Sequence, residues 1–268
     1  MLRVNPRCRP WFRCMAAIMM ALILAGISLA VSPAQKSVFP GKENAVYAEK
    51  PKNTRAEETI KASGQFVRSH KDLLKRAVRS LKNIEQPPDQ IAAWIEAVPL
   101  TVGELEFRKG LAASAGPALE KRAVDVLFEE KVLLNEALKR KILPTPEELD
   151  AFLAWEKKEY QTNPEYRAVV DLIIKEWGLS AAEYWEEYEW YNAFRITMCD
   201  KLYKAVIKEA EEAGQLLKPD SSGVITPEVQ EARESYWNRY TLELKRKANV
   251  LVNQGVVKEL KFDRNFRE

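Results

Sequence analysis

Histidine and cysteine are scarce in this chain of 268 residues. It contains one His, His70, and three Cys, of which Cys8 and Cys14 precede the first long apolar run. Cleavage of an export signal would leave Cys199 alone, so neither an intramolecular disulfide nor a cysteine-based metal site could form. Because His70 stands on a basic helical segment with no second His or nearby Cys, we expect an exposed helix residue. The sequence therefore predicts no metal site.

Glycine is also rare, at 10 residues, and the spacings GxGxxG and GxxxxGK do not occur. Loops of those two kinds hold the phosphates of nucleotides, so we expect no nucleotide cofactor, and we assign no other. Carboxylates are plentiful, and Glu183 and Glu187 would share a helix face. Such glutamates usually form a solvated face, so we assign no catalytic residue. An enzyme, either a carboxylate-dependent hydrolase or a residual isomerase, is the least favoured of three functional hypotheses.

The N-terminus carries the pattern of an export signal. Residues 15–31 form an uncharged apolar run of 17 residues, followed by small residues. Four arginines precede this run: Arg3, Arg7, Arg9 and Arg13. We predict that residues 1–34 are a signal peptide or, since the run is nearly long enough to span a bilayer, a membrane anchor. With the arginines held inside, the rest of the chain is extracytoplasmic, either secreted or anchored on the outer face of the cytoplasmic membrane.

A linker and a basic helix are predicted next, over residues 35–55 and 56–86. Residues 36–90 hold 12 basic and 7 acidic side chains, whereas residues 144–190 hold 4 basic and 12 acidic. This asymmetry favours a basic arm that faces a surface, not a nucleic-acid groove. The helix has an apolar stripe that either packs on the main domain or lies on an anionic membrane. Pro87 and Pro88 end it.

The main domain is predicted over residues 91–252 and is mostly helical. Residues 91–98 are apolar and stop at Pro99, which favours a short edge strand. Residues 248–252 predict a closing strand, which we expect to pair with residues 91–98. A helix start is predicted where Ser or Thr is followed three residues later by Glu. Both side chains then accept hydrogen bonds from backbone N–H groups that the first turn leaves free. These pairs are Thr101 with Glu104, Thr145 with Glu148, and Ser180 with Glu183; Thr226 and Pro227 begin a further helix.

Tryptophans and a cluster of aromatic residues suggest where a partner would bind. Tyr184, Tyr188, Tyr191 and Phe194 follow helical spacing and predict a core stripe, whereas the nearby tryptophans fall away from it. Those tryptophans either pack against neighbouring helices or line a groove for apolar polypeptide segments, since aromatic side chains give large contact areas. The candidate client-binding residues are Trp94, Trp155, Trp177, Trp185, Trp190 and Phe194.

Four segments, in order, resemble the N-terminal chaperone domains of the SurA and PrsA families. The segment "DVLFEEKVLLNEALKRKILPTPEEL", residues 125–149, resembles their signature helix, with Lys141 where Gly is usual. "IEAVPLTVGEL" resembles their entry strand and turn, with Glu96 and Ala97 in place of Asn-Gly. Residues 177–202 and "ITPEVQEARESYWNRY" resemble two later helices. The resemblance covers residues 91–252.

The resemblance implies a mostly α fold: a multi-helix domain whose ends are joined by a small two-stranded β element, preceded by the anchor and the basic helix. Residues 253–268 are then a C-terminal tail. Family members are exported chaperones that bind unfolded polypeptides, often with a parvulin prolyl isomerase domain after this one. Asn249 stands where that domain would place a His, so the resemblance implies no isomerase activity.

Two non-enzymatic functions follow from these expectations. The first is an exported chaperone-like protein that binds unfolded or partly folded clients through an apolar groove and contacts the membrane by its N-terminus. The second is a scaffold or assembly factor for one membrane or cell-surface complex, in which the same groove holds one fixed protein. Neither involves nucleic acid.

Overall fold

The protein is described by a computed structural model that covers residues 54–218 and 225–266. The predicted signal or anchor segment, and the linker up to residue 53, lie outside the described residues. Within the described part, no helix is both long enough and apolar enough to cross a membrane.

The described chain is mostly helical and has one small antiparallel sheet. Its first helices are α1 (Thr54–Ser69), α2 (Lys71–Lys82), α3 (Val102–Ala115), α4 (Pro117–Lys139), α5 (Pro146–Thr162) and α6 (Pro164–Trp177). Helix α7 comprises Ala181–Glu183, a π-helical turn at Tyr184–Tyr188, and Glu189–Glu212, and α8 spans Pro227–Lys247. The strands are β1 (Ile91–Ile95), β2 (Val98–Thr101) and β3 (Val250–Val252).

The sheet brings the two ends of the helical region together. Strand β3 pairs antiparallel with β1, with Trp94 opposite Leu251, so the predicted closing strand is confirmed. Two expectations were wrong: the sheet has three strands in the order β2-β1-β3, not two, and β1 is its central strand, not an edge. Pro99 does lie on an edge strand, where a missing N–H breaks no ladder hydrogen bond, but that strand is β2 and not β1.

The turn between β1 and β2 contains Glu96 and Ala97. Glu96 has a positive φ of 55°, a conformation that costs energy for any residue except Gly. Its backbone N–H donates to the Asn249 carbonyl at 2.8 Å, and its Oε1 accepts from the Asn249 N–H at 2.8 Å. The turn is therefore fixed by bonds to β3 in place of the conformational freedom of glycine.

The predicted basic helix is two helices, separated at His70. The His70 backbone has φ −134° and ψ 37°, outside the helical region, and its Nδ1 lies 3.0 Å from the Phe66 carbonyl. Both helices bury their apolar stripe, including Val67 and Leu74, in one core shared with α3, α6 and α7. Residues 56–86 therefore belong to the body of the protein, not to a separate arm, which favours the packed alternative over the membrane surface.

Helix starts agree closely with the sequence patterns. Complete capping boxes occur at Thr145 with Glu148 and at Ser180 with Glu183, as predicted. At Thr101 only half of the box forms: its Oγ1 accepts the Glu104 N–H at 3.4 Å. The Glu104 carboxylate turns into the core instead, where it lies 2.6 Å from the Lys131 ammonium. The second hydrogen bond of that capping box, from the Thr101 N–H to the Glu104 carboxylate, is replaced by a buried ion pair.

Candidate functional site

Two of the six predicted client-binding residues belong to the core, so the prediction is corrected for them. Trp177 is 3% exposed, and its Nε1 donates to the Ile60 carbonyl at 3.1 Å and to Ser63 Oγ at 3.0 Å. Phe194 is 6% exposed. Trp177 is covered because α1 packs against α6, and Phe194 belongs to the same core. Neither side chain is free to contact a client.

The other four candidates lie on β1, α5 and α7. Trp155 on α5 is exposed, while Trp94 on β1 and Trp185 and Trp190 on α7 are half-buried. Among the described residues, the only ring contact within the set of six joins Trp190 to Phe194, at 5.7 Å. Over the residues that the structure describes, ring contacts therefore join none of the tryptophans to another, and the predicted groove stays a prediction.

A different apolar surface holds part of the chain itself. Residues 256–266, here called the strap, follow β3 without forming a helix or a strand. They cross a second hydrophobic core, built from the sheet, α4 and Ala248. Val257, Leu260 and Phe262 of the strap pack against this core. The strap therefore lies as an irregular polypeptide against an apolar surface of folded protein.

Two aromatic side chains anchor the strap. The Phe262 ring stacks on the ring of Phe128, with the centroids 4.9 Å apart. Four residues later, the Phe266 ring lies 5.7 Å from the Arg122 guanidinium and 5.4 Å from the Lys245 ammonium. Cations at this distance from an aromatic ring are attracted by its electron-rich face. One anchor is therefore apolar and the other is held by two cations.

Two side-chain hydrogen bonds from α4 and α8 go to the strap backbone. Asp125 Oδ1 on α4 accepts the N–H of Asp263 at 2.7 Å. Lys245 Nζ on α8 donates to the carbonyl oxygen of Phe266. Because every residue carries a backbone N–H, except proline, and a carbonyl, such bonds do not depend on the sequence that is held. We call the surface made by Arg122, Asp125, Phe128, Glu129 and Lys245 the strap site.

The charges of the strap site are largely buried. Lys245 is 2% exposed and lies 2.5 Å from Glu129 Oε2, so its positive charge is compensated. Asp125 is 5% exposed, and burial raises its pKa, while the hydrogen bond from Asp263 opposes that rise. Buried polar groups of this kind require partners, and the strap supplies one to each. The site thus holds the backbone of the strap.

A second group of buried charges lies between α3, α4 and α7 and is structural. Arg108, fully buried, lies 3.1 Å from Glu130, which also pairs with Arg195. Glu130 thus compensates two guanidinium groups in the interior. No cluster of three or more His, Cys, Asp or Glu side chains in the described ranges could hold a metal ion.

His70 lines an open cleft of about 380 Å³ together with Phe66, Glu106 and Lys109. Its ring is exposed and stacks on Phe66 at 4.7 Å. Since a carbonyl oxygen can only accept, the Nδ1 that faces the Phe66 carbonyl carries the proton. The cleft offers one imidazole nitrogen and no second catalytic group bonded to it, so the strap site is the stronger candidate.

Sequence analysis missed the strap site because it treated residues 253–268 as a tail. The signals present were Phe262 and Phe266, four apart in an otherwise charged segment, and Asp125 and Phe128 in the segment that resembles the chaperone signature. Nothing in the periodicity could show that these distant segments meet.

No protein-family model, no curated protein and no solved structure matches this chain. The geometry of the strap site therefore carries the functional argument.

Proposed function

We propose that this protein is an extracytoplasmic, chaperone-like protein of the SurA N-terminal type, which binds extended segments of unfolded polypeptides at the strap site. The observation that carries the proposal is the strap itself. An irregular segment is held there by one ring stack, two cations, two bonds to its backbone, and the bonds that its Arg264 and Asn265 side chains make with Arg246 of α8. A client segment with aromatic side chains at a similar spacing would meet the same partners.

The energetics suit a binder of many clients. An aromatic pair contributes about 0.5–1.5 kcal/mol beyond the area it buries, and a net hydrogen bond contributes a similar amount. Such contacts are individually weak, so a segment held by them can exchange. Backbone-directed bonds add affinity without selecting a sequence, which is the property a chaperone needs.

Isomerase activity is not part of the proposal. Asn249, directly before β3, is engaged through its backbone, since its N–H and carbonyl both bond to Glu96. The extracytoplasmic location and the contact with a membrane rest on the sequence pattern of residues 1–34, which lie outside the described residues.

The test is suppression of aggregation by the full chain, with thermally unfolded citrate synthase as the client. Phe262→Ala should loosen the strap, expose its site and increase suppression. The matched control is Phe152→Ala, which removes a half-buried Phe of α5. If neither the wild-type protein nor Phe262→Ala slows aggregation, the proposal is wrong.

A pull-down after surface crosslinking separates the chaperone from the scaffold. Many partners at low occupancy support the chaperone. A single partner at fixed stoichiometry would replace it with the scaffold.

A further inference from the structure

Two carboxyl groups are buried far from the strap site and are linked by two tyrosines. Glu156 on α5 is 1% exposed and Glu189 on α7 is fully buried. The Tyr166 hydroxyl of α6 donates to Glu156 Oε2, and the Tyr184 hydroxyl donates to Glu189 Oε2 at 3.1 Å. The side chains of Tyr166 and Tyr184 are buried in the same core. These four side chains, here called the relay, come from three helices that pack together in the interior.

Neither carboxyl has a cation to compensate it. Within the described part of the chain no ion pair includes Glu156 or Glu189, and the Oε1 atom of each is buried without a hydrogen-bond partner. The cations of neighbouring elements are engaged elsewhere. Lys71 and Lys75 of α2 pair with Glu183, at 3.3 and 3.1 Å, and Arg108 of α3 pairs with Glu130.

Two uncompensated anions in a protein interior are costly, so the relay favours bound protons. Burial raises the pKa of Glu156 to about 7, and the negative charge of Glu159 on α5 adds to that rise. Burial raises the pKa of Glu189 to about 8, with a further contribution from the charge of Glu156. The hydrogen bonds from Tyr166 and Tyr184 act in the opposite direction and lower the two pKa values.

The backbone is also unusual at this point. Tyr184 begins the π-helical turn and Glu189 immediately follows it. Such turns are rare, cost stability and occur often at functional positions. Tyr188 in the same turn is fully buried, and it faces the charges of Glu189 and Arg108. The turn places Tyr184 and Glu189, five residues apart, in direct hydrogen-bond contact.

We propose that the relay is a proton-operated latch, which holds α5 and α6 against α7 while it carries a proton and releases them when both carboxyl groups are ionised. In the closed form one O–H hydrogen bond, from a carboxyl or a tyrosine, joins Glu156 to Tyr166, and another joins Glu189 to Tyr184. Loss of the carboxyl protons to water leaves two like charges in the interior, and their repulsion and need for hydration favour separation of the helices. The latch does not depend on what the strap site binds.

The test is hydrogen exchange of the full chain between pH 6 and pH 9, corrected for the intrinsic pH dependence of exchange. Protection of α5 and α6 should fall by about tenfold or more at pH 9, since one pKa unit corresponds to a tenfold change in equilibrium. Glu156→Gln with Glu189→Gln, which cannot ionise, should abolish that fall. Glu186→Gln is the control, because Glu186 is exposed in the same π-helical turn.

A fall in protection that persists in the double variant, or that does not occur in the wild-type protein, would overturn the latch. If the double variant does not fold, Tyr166→Phe provides a second route. It removes the hydroxyl that bonds Glu156, and because that bond lowers the pKa of Glu156, the fall in protection should shift to a higher pH. An unshifted profile would also contradict the proposal.

Discussion

The rings of Phe262 and Phe128 stack at a centroid distance of 4.9 Å, across 134 positions of sequence. This contact joins the strap to α4. The strap forms no helix or strand, so its side-chain contacts determine whether it stays bound. These include the two bonds to its backbone and the bonds of Arg264 and Asn265 with Arg246.

The Phe262–Phe128 stack predicts that Phe262→Ala releases the strap. We expect loss of the ring to cost about 1–2 kcal/mol of local stability, and therefore about tenfold faster hydrogen exchange in residues 256–266. Lys261→Ala, at the adjacent exposed position, should leave exchange unchanged. Equal exchange in both variants would show that the stack does not hold the strap.

The buried pair of Glu130 with Arg108 predicts a large stability loss. Glu130→Gln leaves a fully buried guanidinium without an anion, and breaking a buried pair costs about 3–5 kcal/mol. Glu120→Gln is the matched control, because Glu120 pairs with Lys109 at 3.2 Å with both side chains about 40% exposed. We expect less than about 0.5 kcal/mol there. Urea denaturation measures both, and similar losses would contradict the structural role.

Lys141 predicts a stabilising substitution. It follows Arg140, the C-cap of α4, with a positive φ of 57°, and its N–H donates to the Leu138 carbonyl at 3.0 Å. A left-handed conformation costs about 1–2 kcal/mol for a residue other than Gly, while Gly adds about 0.4–1 kcal/mol of unfolded-state entropy. Lys141→Gly should therefore raise the free energy of unfolding by about 0.5–1 kcal/mol.

The comparison for Lys141→Gly is Lys158→Gly. Lys158 is exposed inside α5, where Gly should cost about 1 kcal/mol. Thermal unfolding of the two variants should move in opposite directions. A loss of stability in both would mean that Lys141 is not strained in solution.

The relay predicts that stability falls as pH rises. The pKa of Glu156 and Glu189 is raised in the folded state, so the folded chain binds more protons than the unfolded chain above the ordinary value of 4.5. Their contribution is complete below about pH 4.5 and is lost as pH rises through 7 and 8. The pKa of Glu183 is lowered to about 2 by the Ser180 backbone and Lys75. Its contribution to stability is therefore lost only in acid, as pH falls below about 4.5 towards 2.

Urea midpoints at pH 5.5 and pH 8.5 measure that fall. We expect the wild-type midpoint to be lower at pH 8.5 and the Glu156→Gln, Glu189→Gln double variant to show a smaller difference. Glu186→Gln should behave as wild type. A wild-type midpoint that rises over this range would contradict the sign of the effect.

Local sequence signals predicted the helices and the pairing of β3 with β1. Ser180 with Glu183 marks a helix start within four residues, and the β-branched run at Val250 gives a strand whose partner is the other apolar run near Pro99. Such features depend on neighbours in sequence, so one sequence is enough to show them.

Features that depend on distant contacts were not predictable. No Gly or Pro marks the break at His70 or the π-helical turn at Tyr184–Tyr188. The burial of Glu156 and Glu189, and of Trp177, follows from how α1, α5, α6 and α7 pack. The strap site was missed for the same reason, since its members come from α4, α8 and residues 256–266.

Binding of a strap-derived peptide tests the central claim most directly. A labelled peptide with the sequence of residues 256–268 should bind the full chain carrying Phe262→Ala and Phe266→Ala, as measured by fluorescence anisotropy. It should bind the wild-type chain at least about tenfold more weakly, because the tethered strap competes at high effective concentration. The same peptide with both Phe replaced by Ala should not bind. Equal binding of the two peptides, or no binding to the opened chain, would contradict a polypeptide-binding strap site.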